Sequence, residues 1–131
     1  MATEGWPVKI DITPGELFDR LTIIEIKLER IAAPEKQLHL RREYEDLCRL
    51  RDTIAEEKLA ALVAELKELN AQLWQIEDGI REHERRQDFG PSFVALARAI
   101  YRQNDRRAAV KRAINERCGS ALIEEKSYAA Y

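Results

Sequence analysis

Apolar residues recur along most of this chain at the three-and-four spacing of an amphipathic helix, and a few clear stops separate the runs. Leu17, Leu21, Ile24, Leu28 and Ile31 form one face, and Leu40, Tyr44, Leu47 and Leu50 a second. A third runs through Leu59, Leu62, Leu66, Leu69, Leu73, Ile76 and Ile80 in the alternation of a coiled-coil seam. Phe93, Leu96 and Ile100 open a fourth, which resumes at Ile114 and Cys118. "ITPGE" starts the first helix, with Thr13 as N-cap, Pro14 in the first turn and Glu16 three residues past the cap. Pro34 starts the second, "RRQDFGPS" turns between the third and fourth, and Gly119 caps the last.

The pattern predicts an all-α fold: one domain over 1–131, an antiparallel bundle of about four helices at 14–32, 34–52, 57–86 and 91–118. Residues 1–13 form a short extended arm, because "VKIDI" alternates but is too short for a sheet of its own. Residues 119–131 form a tail that docks through its tyrosines and apolar side chains. "RDTIAEEKLA" has no breaker, although Thr53 and Glu56 have capping-box spacing, so separate and continuous second and third helices both remain open. Ile23 and Ile26 lie nearly opposite the main face of the first helix. A helix apolar on two sides is either central in its bundle or shared with a second copy, and a homodimer is expected.

The fourth stripe turns polar in its middle, at Asn104, Arg107 and Lys111. The third is interrupted too, at Asn70 and Glu77, with Trp74 at its edge. An antiparallel turn near Asp88 sets Asn70 opposite Arg107, Trp74 opposite Asn104, and Glu77 opposite Ile100 and Tyr101. The two interruptions therefore meet at one level. Buried polar groups must find partners, and Glu77 is the expected carboxylate for Arg107 or Arg81, with Glu25 a further member of the layer. Such a layer has three readings. It sets register and oligomeric state in a structural scaffold. It lines a pocket for a small anionic ligand, with Arg107 and Lys111 as cations, Asn70 and Asn104 as amides, and Trp74 and Tyr101 as walls. Or it serves an enzyme acting on an anionic metabolite, for which Glu77 is the sole candidate acid or base.

Charged residues make up 35% of the 131 but nearly cancel to a net charge of −2, so nucleic acid is not an expected partner. No apolar run approaches the roughly 20 residues of a membrane span. "MATEGWPVKID" has neither the basic start nor the apolar stretch of a secretory signal, and a cytoplasmic location is expected. Cys48 and Cys118 read as buried thiols, and His39 and His83 are single. Glu77, Asp78 and Glu82 are interleaved with Arg81 and Arg85, the pattern of a solvated ion-paired face. No metal or cofactor is expected.

The blocks "ITPGELFDRLTIIEIKLERI", "LNAQLWQIEDGIRE", "DFGPSFVALARAIYRQNDRRAAVKRAIN" and "GSALIEEKSY" together resemble a family of short bacterial proteins of unknown function. The resemblance implies a stand-alone, mostly helical bacterial protein and supplies no activity. Its blocks include Asn70, Trp74, Glu77, Tyr101, Asn104 and Lys111, and also Glu124, Glu125, Lys126 and Tyr128 of the tail. It implies that the tail closes over the polar layer. A looser similarity, to the small helical chorismate mutases, carries no residue over.

Overall fold

The computed structural model describes residues 5, 7–54 and 57–131. It contains four helices: α1 (Pro14–Arg30), α2 (Pro34–Arg51), α3 (Ala60–Arg85) and α4 (Pro91–Cys118), with a 3₁₀ turn over Glu57–Leu59. No strand occurs among the described residues. Helix α1 starts as its sequence requires. Thr13 Oγ1 accepts from the Glu16 amide at 3.1 Å, and Pro14 occupies the first turn, where no amide donor is missed. The helix stops at Arg30, short of residue 32, because Pro34 pushes the chain before it toward extended backbone. Gln37 of α2 then donates to the Leu28 and Ile31 carbonyls, satisfying the open end.

Helix α2 ends at Arg51, so it does not run on into α3. Thr53 folds back, its hydroxyl donating to the Leu50 carbonyl at 2.6 Å. The reciprocal partner expected for it, Glu56, lies outside the described residues. Leu59 stands at the N-cap of α3 without a side-chain cap, so the helix begins at residue 60, not 57.

Three contacts lay α4 against α3: His83 with Phe93, Gly79 with Leu96, and Gln72 with Gln103. Residue numbers fall along α4 as they rise along α3, so the two form a hairpin. His83 Nδ1 lies 3.0 Å from the Asp88 carbonyl and closes the turn. Helix α1 packs against α2, α3 and α4, and α3 packs along α4. The core is Leu17, Phe18, Leu21 and Ile24 of α1, with Leu47, Leu59, Leu66, Leu69, Val110 and Ile114 around them. Burial is complete only near α1. Between residues 71 and 109 His83 is the one buried side chain, so the outer halves of α3 and α4 cover little but each other.

Both apolar sides of α1 are accounted for by this arrangement. Ile26 is 2% exposed within a single chain, and Ile23 is half-buried. The central placement, one of the two that its pattern allowed, is the one found.

Candidate functional site

A polar layer sits where α1, α3 and α4 meet, and its centre is Asp19 of α1. The Asp19 side chain is 2% exposed and spans two helices. Its Oδ1 accepts from Arg107 Nε at 2.9 Å and from Asn70 Nδ2 at 2.9 Å, while Oδ2 accepts from Arg107 Nη2. Asn70 also donates to Thr22 Oγ1 at 3.0 Å, and that hydroxyl donates to the Asp19 carbonyl at 2.9 Å. Arg107 Nη1 reaches Asn104 Oδ1 at 3.4 Å. Each side chain of this inner network has a hydrogen-bond partner within it, as its burial demands.

One helical turn further along α4 lies Lys111, its side chain 8% exposed. Its Nζ donates to Glu16 Oε2 at 2.7 Å, stands 3.7 Å from Asp19 Oδ2, and lies 3.3 Å from Glu124 Oε1 on the tail. Asn115, the next turn on, accepts the Gly15 amide at 2.7 Å and helps cap α1. Gly15 permits this approach: a Cβ there would stand 2.5 Å from the Lys111 carbonyl oxygen.

These contacts set the charges. Burial pushes the Asp19 pKa up, but the bonds from Arg107 and Asn70 and the Arg107 and Lys111 charges outweigh it, leaving Asp19 below the ordinary aspartate value. Burial likewise raises the Glu16 pKa, and the Lys111 and Arg20 bonds bring it below the usual carboxylate range. For Lys111 burial acts downward, and the Glu16 bond with the Asp19, Glu16 and Glu124 charges reverses it, so the ammonium is held above the ordinary lysine value. The site is a set of fixed charges. Asp19 is ionised with both oxygens engaged, and Lys111 stays protonated near neutrality, so neither has the character of a general base or an amine nucleophile.

Asn70, Asn104, Arg107 and Lys111 are brought together. Glu77 is not among them: it is exposed on α3 and takes no part in the network. Asp19 takes the place expected of Glu77, because α1 lies over the seam that α4 was expected to share with α3 alone. Glu25 is half-buried but off the layer, 3.8 Å from Lys67. Trp74 is half-buried beneath the Arg30 guanidinium, 5.8 Å from its ring centre. Tyr101 is 40% exposed and stacks edge-on with Tyr131 of the tail. Neither aromatic lines the layer as a wall. Asp19, Thr22 and Glu16 are members that the sequence reading missed, whereas Glu124 belongs to the tail that the resemblance placed over the layer. A signal existed for the first two: a helix apolar on two sides buries its polar residues as well.

The tail runs back along α4, and between them lies a cleft of about 640 Å³. Lys111, Arg112, Asn115, Ser120, Glu124 and Lys126 line it, with Leu122 and Ile123 on the tail side. The polar layer thus opens at its Lys111 end. Among the described residues, no group of three or more His, Cys, Asp and Glu side chains converges as a metal site would require, and no helix is long and apolar enough to cross a membrane.

Fold and site together define an all-helical protein, three helices around a central α1, with a buried ion-paired layer. Residues 8–131 match a family of unknown function, DUF6165, and the chain belongs to that family. No curated protein and no solved structure matches the chain.

Proposed function

We propose that this protein is a binding module that holds a small anion at the Lys111 end of its inter-helix polar layer. The observation that carries the reading is Lys111 itself: a buried ammonium facing a cleft, with its outer position filled by a carboxylate from an exposed tail. Arg107 is not available in the same way, since its guanidinium is engaged by Asp19 in a two-point pair. The inner layer therefore reads as structural and its open end as the recognition element. An enzyme acting on an anionic metabolite is the less supported alternative, because Glu77 stands outside the site and Asp19 is held ionised. The reading takes the chain as a cytoplasmic bacterial protein, two cysteines in 131 residues being too few for a disulfide framework. A homodimer is part of it, the second copy meeting the coiled-coil-like outer halves of α3 and α4.

Titration calorimetry with acetate and with phosphate tests it. Wild type and Glu77→Gln are expected to bind alike, and Lys111→Met to bind at least about tenfold more weakly, the loss of one close charge partner. Equal heats from all three proteins, or none from wild type, would refute the assignment.

A further inference from the structure

Gly119 ends α4 in the left-handed region at φ +62°, and the chain beyond it reverses direction. From there the tail lies along the helix it has just left. Glu124 returns to the level of Lys111, and Tyr131 to that of Asp105 and Tyr101. Among the described residues those are its two points of hold. The Glu124 carboxylate lies 3.3 and 3.5 Å from Lys111 Nζ by its two oxygens. The Tyr131 hydroxyl donates to Asp105 Oδ2 at 2.7 Å, with its ring 5.0 Å from that of Tyr101. The apolar and aromatic side chains beside and between them face outward, Ile123 at 75% and Tyr128 at 79% exposure, so apolar burial contributes little to holding the segment.

Lys111 does not need Glu124 for its neutralisation. Glu16 bonds to it directly and Asp19 stands close by. The tail carboxylate is a third anion on one ammonium, delivered by a segment that covers a cleft. We infer that residues 120–131 are a displaceable strap, and that Glu124 occupies on Lys111 the place that the carboxylate of a small monocarboxylic ligand takes when the strap lifts. This deepens, and rests on, the reading of Lys111 as the anion site. A monocarboxylate suits the position better than a dianion. Glu16 and Asp19 remain beside Lys111 after the strap has gone, and Glu116 and Glu125 line the same cleft. Like charges at such distances penalise a second negative charge. A tethered competitor acts at an effective concentration near the millimolar range, so it lowers the apparent affinity for a free ligand without any change at the cation.

The test is an NMR titration of the full chain with acetate, comparing wild type with Glu124→Gln and following the amides of Lys111 and of residues 120–131. Glu124 is exposed, and its substitution leaves the core intact. Saturating acetate is expected to release the wild-type strap, seen as narrowed tail signals and loss of the Tyr131 contact. Glu124→Gln is expected to show a released strap from the start and to bind acetate about tenfold more tightly. Equal acetate affinity in the two proteins overturns the strap as a competitor and leaves the anion site standing. No acetate response at Lys111 in either protein overturns both. A strap that remains docked in wild type at saturation overturns displacement whatever the affinities are.

Discussion

Asp19 and Arg107 are the pair on which the layer depends. Arg107→Met leaves the Asp19 carboxylate buried beside Asn70 with its main counter-charge gone. Breaking such a pair from one side costs on the order of 3 kcal/mol. Urea unfolding should show that loss, and Asp19→Leu together with Arg107→Met should recover much of it, since no charge is then stranded. Glu77→Gln should shift stability by less than about 0.5 kcal/mol, as an exposed substitution outside the network. The same residues set the pH limits. Asp19 has a depressed folded pKa, so its stabilisation is complete above the unfolded value of about 3.9 and is lost as pH falls through the folded one. Lys111 has a raised folded pKa, so its part is complete below about 10.4 and is lost as pH rises through the folded value. Unfolding free energy measured against pH should therefore fall at both ends, and Asp19→Asn should make the acid limb shallower, leaving the part that Glu16 supplies.

At the scale of elements, the stripes and their stops placed the four helices to within a few residues. Proline and glycine chemistry is local, and Thr13, Pro14, Pro34, Pro91 and Gly119 each act where they stand. The level of the polar layer was legible for the same reason, because Asn70 and Arg107 interrupt two stripes that one turn brings together. The identity of the carboxylate was not. It depends on which helix covers the α3–α4 seam, a tertiary fact that periodicity does not encode, and α1 brings Asp19 there. Closeness between helices was equally hidden. Gly15 sits under the backbone of α4, and a Cβ would meet the Lys111 carbonyl oxygen at 2.5 Å, where rigid backbone cannot yield. At Gly79 the nearest atom is the Leu96 Cδ1 at 3.0 Å, the tip of a rotatable side chain. Thermal unfolding should show Gly15→Ala destabilised by about 2 kcal/mol or more, an overpacking cost. Gly79→Ala should lie near neutral, as Leu96 turns aside and helix propensity returns up to about 1 kcal/mol.

Across the whole molecule, burial is graded. The end that contains α1, Leu66, Leu69, Val110 and Ile114 is closed, and the outer halves of α3 and α4 have each other as their main cover. Hydrogen exchange at concentrations too low for self-association should follow this gradient, slowest in the middle of α1 and faster from residue 73 to residue 100. In the proposed homodimer the second copy covers the outer hairpin, so protection along α3 should become more even as concentration rises. The proposed anion site lies along the same gradient. The layer is self-satisfied where three helices meet and opens at Lys111, where the tail and α4 frame a cleft. Chemical-shift mapping of acetate on this chain tests that placement most directly. Shifts are expected at Lys111, Asn115 and the tail, and at Asp105 and Tyr101 where Tyr131 lets go, with Asn70 and Asn104 unmoved. Shifts centred on Asn70, Asn104 and Arg107 would contradict it, because the inner layer would then be the binding site and its pairing with Asp19 the part that opens.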